Sequence, residues 1–185
     1  MILAFAPWLA FLVIAHGSLF RLKLGLITAL ILSIGMGISR LHRGVILWVG
    51  LAFFASASIA VIGFNNMWVA KYMGVIAPGV LATATWLTVI FKNPFTMDYA
   101  KEHTNPSLWH SPKFIRTNMI VSSAWALTFT INVLLATGKI NEYILPDLGY
   151  ELISYTLMLG TAVFTTWYPG HIRKKAEIIV PNEYN

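Results

Sequence analysis

The sequence contains no cysteine and few charged residues. Without cysteine there is no disulfide, no thiolate nucleophile and no cysteine-ligated metal site. Asp, Glu, Lys and Arg together make up 11% of the 185 residues, whereas soluble domains carry roughly 25%. Because 57% of the residues are hydrophobic, this shortage of charge argues against an ordinary soluble domain and indicates an integral membrane protein.

No acidic residue precedes Asp98, so the first half of the chain contains none. Among the apolar segments only Glu151 is a candidate for an intramembrane carboxylate, so the carboxylate or histidine relay of a coupled transporter is missing. There is also no glycine-rich phosphate loop and no Ser-His-Asp set in a recognisable context. We therefore predict no enzymatic activity and no cofactor. We also predict no nucleic-acid partner. The net charge of +6 is not evidence for one, because in a membrane protein the positions of the basic residues reflect the topology.

The histidines do not have the spacing of a metal site. His103 and His110 are seven residues apart and lie near Asp98 and Glu102, but no pair shows the His-x-x-x-His or Glu-x-x-His pattern. His16 lies at the end of an apolar segment, where a single histidine is typically interfacial or hydrogen-bonded. We predict no metal ligands.

Apolar segments account for most of the chain, and their length and composition predict helices. We expect an all-α, polytopic membrane helical bundle with five or six transmembrane helices, forming a single integral membrane domain over residues 1–185. The first segment has too few residues for a ~30 Å hydrocarbon core, so whether it spans stays open. The six segments are Ile2–Ala15, Leu24–Ser39, Val45–Phe64, Tyr72–Phe91, Phe114–Thr137 and Leu148–Tyr168.

The one long polar stretch, Lys92–Arg116, contains three helix starts in which a capping side chain precedes proline. They predict a short helix from Pro94 to about His103, a helical turn at 106–110, and a fifth span from Pro112. Phe95 and Tyr99 would share the apolar face of an interfacial first helix. The three starts are Asn93-Pro94, Asn105-Pro106 and Ser111-Pro112.

Basic residues separate into two groups if the 92–116 loop and the tail 169–185 are cytoplasmic. Nine then lie in the cytoplasm and four outside, which agrees with the positive-inside rule and predicts a multi-pass protein of the bacterial inner membrane. The outer group is Arg21, Lys23, Lys71 and Lys139. The cytoplasmic group is Arg40, Arg43, Lys92, Lys101, Lys113, Arg116, Arg173, Lys174 and Lys175.

Two sets of residues are candidates for contacts. The polar loop could form a cytoplasmic contact surface, or it could only connect the fourth and fifth spans. Small side chains at every fourth position could pack within the bundle or against a partner subunit. The partner-contact candidates are Lys92, Asn93, Pro94, Tyr99, Glu102, Trp109 and Arg116, and the helix-packing candidates are Ala52, Ser56, Ala60, Trp125 and Asn132.

Several of these motifs together resemble the intracellular septation protein A (YciB-like) family of inner-membrane proteins. The chain is similar to a divergent member, because the spacings from Trp109 and Asn118 to Ala124-Trp125-Ala126 are longer than in that family. The motifs are Phe5–Leu12, the basic turn Arg40–Arg43, Phe64-Asn65-Asn66, Lys92-Asn93-Pro94, Asn118 with Ala124-Trp125-Ala126 and Phe129, and the tail His171–Lys175.

The resemblance implies a non-enzymatic role in cell-envelope maintenance and septation, through contacts with other membrane proteins or with lipids. It brings no catalytic residues. Two alternatives stay open. One is an accessory structural subunit of a larger respiratory, photosynthetic or oxygenase complex. The other is a small transporter or lipid-handling protein, and a transporter should contain a polar cavity at mid-membrane.

Overall fold

The computed structural model describes residues 5–39, 44–141 and 146–179, with side chains as far as Ile172. Throughout this part of the chain the regular structure is helical, which confirms the predicted all-α bundle. The helices are α1 (Ala6–Ile14), α2 (Leu19–Ile38), α3 (Val45–Ser58, continued by a π-helical turn Ile59–Gly63), α4 (Met67–Lys71), α5 (Met73–Ile90), α6 (Thr96–Lys101), a 3-10 turn (Pro106–Leu108), α7 (Pro112–Ile140) and α8 (Asp147–Ile179).

Four helices of the described chain are long and apolar enough to cross a membrane, namely α2, α3 with its π turn, α5 and α7. By length and composition the chain is a membrane protein. Helix α1 has nine residues and is about 13 Å long, less than half of a ~30 Å hydrocarbon core. Helix α8 has 33 residues, but its first turns carry Asp147 and Glu151.

Some sequence features lie outside the described residues. They are residues 2–4 of the first segment, the basic turn Arg40–Arg43, and the side chains of Arg173, Lys174 and Lys175.

Capping side chains begin several helices where the sequence predicts them. Ser111 accepts a hydrogen bond from the Phe114 N–H at the start of α7, and Asn105 accepts one from the Ser107 N–H at the 3-10 turn. These bonds satisfy N–H groups that have no partner inside the first helical turn. Both predicted starts are confirmed.

The predicted start at Asn93-Pro94 is wrong, because these residues end α5 instead of beginning α6. Lys92 has a left-handed backbone with φ of 54°. The Lys92 N–H bonds to the Val89 carbonyl, and the Asn93 N–H bonds to the Thr88 carbonyl. This is the hydrogen-bond pattern of a Schellman C-cap, and proline commonly follows such a cap. Helix α6 consequently begins at Thr96.

Aromatic side chains hold the short helix α1 in the bundle. The ring of Phe5 stacks on Trp125 of α7 with 5.1 Å between centroids, and Trp8 stacks on Phe53 of α3 at the same separation. Gly50 permits the second contact, because a Cβ there would lie 2.9 Å from Trp8 Nε1. Elsewhere α1 packs on α2, α2 on α3, α5 along α7, and α7 against α8.

Candidate functional site

Only some residues of the predicted cytoplasmic contact surface are exposed. Pro94 and Tyr99 are buried inside the bundle, so neither can meet a partner without movement of the loop. Trp109 is half-buried, and its indole N–H donates to the Thr104 carbonyl. The other candidates are exposed, and a partner contact there stays a prediction. They are Lys92, Asn93, Glu102 and Arg116.

Helix α6 packs into the bundle and does not lie at an interface, because its apolar face is covered. Phe95, which directly precedes it, is 1% exposed, and Thr96 is also buried. The Thr96 hydroxyl lies 2.9 Å from the Ser122 hydroxyl and 3.1 Å from the Asn118 carbonyl oxygen, both in α7. Polar contacts that are buried and mutually satisfied fix the position of the loop, and the prediction of an interfacial helix is wrong.

The same loop also caps α3. Asp98 accepts a hydrogen bond from the backbone N–H of Val45, the first residue of α3. Gly44, which precedes it, leaves room for the loop, because a Cβ there would lie 2.6 Å from the Tyr99 hydroxyl oxygen. Burial raises the pKa of the Asp98 carboxyl, and the Val45 N–H and the charge of Lys101 partly oppose this. Burial, followed by the nearby charge of Asp98, raises the pKa of Tyr99.

The helix-packing candidates divide between the inside and the outside of the bundle. Trp125 and Asn132 are buried in α7. Ala52 and Ser56 of α3 are exposed and Ala60 is half-buried, so this strip of small residues lies largely on the outward face of the described bundle.

A groove between α1 and α8, with α5 and α7 beneath it, opens into the apolar interior. Its volume is about 350 Å³. Residues at its edge include Leu9, Gly74 and Leu159, all of which are exposed, so the groove opens through an apolar rim. The side chains that line it include Trp8, Leu12, Ala77, Phe129, Met158 and Ala162.

Most polar side chains around the groove are bonded within the protein, but the buried indole N–H of Trp8, which is directed at Gly50 of α3, has no hydrogen-bond partner among the described residues. Asn132 donates to the Thr128 carbonyl at 2.8 Å and accepts a hydrogen bond from the Ser154 hydroxyl. The indole N–H of Trp125 donates to the Thr165 hydroxyl at 2.9 Å. Because Asn132, Ser154 and Trp125 already have partners, the groove presents a mainly hydrocarbon surface to an occupant.

Proline in α5 contributes to the shape of the groove. Pro78 lacks the N–H that would bond to the carbonyl of Gly74, and such a gap kinks a helix. Both residues line the groove. A Cβ at Gly74 would have no neighbouring atom within 4 Å, so the space beside α5 is open at this point.

A second cavity of about 630 Å³, here called the vestibule, adjoins the groove. The two share Phe11, Leu12, Met73 and Gly74 as lining residues. The vestibule differs from the groove because charged and polar side chains also line it. They are His16, Ser18, Lys71, Lys139 and Asp147.

Two polar contacts hold the helices around the vestibule. His16 Nε2 lies 2.8 Å from the hydroxyl oxygen of Tyr155 in α8, which bears out the expectation of a hydrogen-bonded histidine. Lys139 Nζ lies 2.6 Å from Glu151 Oε1 and 3.7 Å from Asp147 Oδ2. Sequence reasoning missed this ion pair, although Glu151 stands out as the lone carboxylate of the apolar segments.

Comparisons with known proteins leave the family of this chain undetermined. No family model, no curated protein and no solved structure matches it significantly. The likeness to the septation family stays a prediction, and the arrangement of the groove and the vestibule is the stronger basis for assigning a function.

Proposed function

We propose that this protein is a non-enzymatic membrane protein that binds a lipid-like molecule between its helices. The observation that carries the proposal is the apolar groove of about 350 Å³ between α1 and α8. Ligand sites usually have volumes of roughly 300–1,000 Å³, and an apolar cavity of only ~150 Å³ already stays dry and takes up benzene. A hydrocarbon chain fits the lining better than water does.

The rim of the groove supports entry from the bilayer. Leu9 and Leu159 are 40% and 68% exposed, and both lie on helices that border the opening. A polar solute would have to give up its hydration to enter, with no unpaired hydrogen-bond partner at Asn132 or Ser154 to compensate it. A chain already dissolved in lipid gives up no water.

This chemistry favours lipid handling over transport of an ion or a polar solute, because a transporter of that kind needs a polar cavity. It also agrees with the envelope role that the resemblance implies, since contact with lipids was one of the two expected modes of action. We propose the bacterial inner membrane as the location, with the 92–116 loop in the cytoplasm. The role as an accessory subunit stays an alternative.

The proposal is tested by purifying the protein from its native membrane in mild detergent and measuring retained lipid by native mass spectrometry. We expect one lipid per chain. Ala162→Phe, which fills the groove, should remove it. The neighbouring Val163→Phe is the matched control, because Val163 is 65% exposed and lies outside the groove lining. Gly74→Leu is a second filling variant, and its backbone position has free space.

Two results would contradict lipid binding. One is a purified protein that carries no lipid, and the other is a lipid content that Ala162→Phe and Gly74→Leu leave unchanged. A second protein that co-purifies at equal stoichiometry would instead support the accessory-subunit alternative.

A further inference from the structure

The groove alone provides little selectivity. Lipid tails are as apolar as the lining, so a chain gains mainly packing contacts when it leaves the bilayer for the groove. A specific ligand therefore needs a second contact. Phe11, Leu12, Met73 and Gly74 line both cavities, so a molecule with its chain in the groove can extend its head into the vestibule.

The vestibule lies at the end of the bundle that carries the four basic residues of the predicted outer group. Three of the four have acceptors. Arg21 donates to the carbonyls of Ile14 and Val13 at the end of α1, and Lys23 donates to the Asn65 side chain. Lys139 is paired with Glu151 and Asp147.

Lys71 is the exception in the described part of the chain. It ends α4, its side chain is exposed, and it lines the vestibule. Its ammonium lies 5.5 Å from the centroid of the Tyr72 ring, and no described carboxylate lies within ion-pair distance of it. Lys71 thus places in the vestibule, which adjoins the groove, a positive charge that has no carboxylate partner among the described residues.

We infer that the ligand is a phosphate-bearing lipid whose chain lies in the groove and whose phosphate binds the ammonium of Lys71. This inference rests on the proposed function. A lysine ammonium is a compact donor that pairs well with phosphate oxygens. A neutral head, such as that of a diacylglycerol, would leave Lys71 without this contact. A head with several negative charges fits less well, because Asp147 lines the same vestibule.

The test uses the full-length protein, delipidated in maltoside detergent, and lipids with identical chains. Dioleoylphosphatidylethanolamine, dioleoylphosphatidylglycerol and dioleoylglycerol are titrated, and bound lipid is counted by native mass spectrometry. We expect both phospholipids to bind about tenfold more tightly than dioleoylglycerol, which is the order expected for one charge-assisted hydrogen bond.

Lys71→Ala should remove this difference and leave dioleoylglycerol binding unchanged, while Lys71→Arg should largely retain it. Lys23→Ala is the matched control, because it removes an equal charge at the same end of the bundle.

Several outcomes would overturn the inference. Equal binding of all three lipids, with no effect of Lys71→Ala but loss of binding in Ala162→Phe, would refute the head-group contact and leave the proposed function intact. Equal losses in Lys71→Ala and Lys23→Ala would indicate general electrostatic attraction. Full competition by inorganic phosphate would indicate a site for free phosphate. Absence of binding by all three lipids would contradict the proposed function itself.

Discussion

His16 and Tyr155 are 139 residues apart in sequence, yet their side chains form a hydrogen bond of 2.8 Å. The bond joins the turn that follows α1 to helix α8. Helices α1 and α8 border the groove. Because His16 also lines the vestibule, the contact lies close to where the head group of the proposed lipid would bind. It therefore ties the end of α1 to α8 beside the vestibule.

Tyr155→Phe removes the hydroxyl from this pair. We expect the free energy of unfolding to fall by about 1 kcal/mol, the usual net value of one hydrogen bond, and bound lipid to exchange faster because α1 and α8 are less firmly joined. Thermal unfolding and lipid release are measured in the same detergent. Tyr168→Phe is the control, since the Tyr168 ring stacks on Phe164 without bordering the groove. Equal effects of the two variants would refute a specific role for the His16 contact.

The ion pair between Lys139 and Glu151 should stabilise the junction of α7 and α8. Both side chains are about one-third exposed, at 34% and 35%, so we expect a coupling energy of only about 0.2–1 kcal/mol. Lys139→Met and Glu151→Gln are measured singly and together in a double-mutant cycle of unfolding free energies. The double variant should lose less than the sum of the single losses. Strict additivity would mean that the pair contributes nothing, and high salt should reduce any coupling.

Asp98 should make stability depend on pH in a predictable direction. Burial raises the pKa of its carboxyl above the ordinary value of 3.8, so the folded protein holds this proton more tightly than the unfolded chain does. The resulting stability is present below the unfolded pKa and is lost as pH rises through the folded pKa. Asp98→Asn retains an acceptor for the Val45 N–H without the carboxylate charge, and should gain stability relative to the wild type as pH rises from about 4 to 7.

Asp98→Ala is the companion variant, because it removes the acceptor as well as the charge. Relative to Asp98→Asn, which lacks the same titrating carboxyl, we expect a loss of about 1 kcal/mol at every pH, as for other N-terminal caps. Thermal unfolding across that pH range separates the two effects. A stability difference between wild type and Asp98→Asn that is independent of pH would contradict the shifted pKa.

Gly44→Ala should destabilise the contact between the loop and α3. The new Cβ would lie 2.6 Å from the Tyr99 hydroxyl oxygen and 3.0 Å from the ring carbon that bears it. We expect a loss of about 1–3 kcal/mol from overpacking, measured by thermal unfolding. Gly35→Ala in α2 is the control. A Cβ there meets no atom within 4 Å, and alanine is favoured over glycine in a helix by about 0.5–1 kcal/mol. Tyr99→Phe should partly rescue Gly44→Ala, and a lack of rescue would place the strain elsewhere.

Local signals in the sequence predicted several elements correctly. Ser111-Pro112 begins α7, and Asn105-Pro106 begins the 3-10 turn, because a cap or a proline acts on the backbone within a few residues. The same local reasoning failed at Asn93-Pro94. There the backbone N–H groups of Lys92 and Asn93 bond to carbonyls of α5, so these residues cap the end of α5 and do not begin α6. The residues supported both interpretations, and the preceding helix decided between them.

The candidate site was much harder to predict. Its lining comes from α1, α5, α7 and α8, and no motif or periodicity connects these segments. Leu9 and Met158 look like ordinary lipid-facing residues in the sequence. They become part of a groove because Phe5 and Trp8 fix α1 against α7 and α3, which leaves a gap between α1 and α8.

The sequence by itself determined that this is a helical membrane protein, because scarce charge and long apolar segments act through composition and local backbone preference. Only the tertiary structure decided that Tyr99 and Pro94 lie inside the bundle, and that Lys71 lines a cavity that adjoins an apolar groove. Each of these depends on contacts between residues distant in the chain. Such contacts are set by the packing of whole helices, which no local pattern specifies.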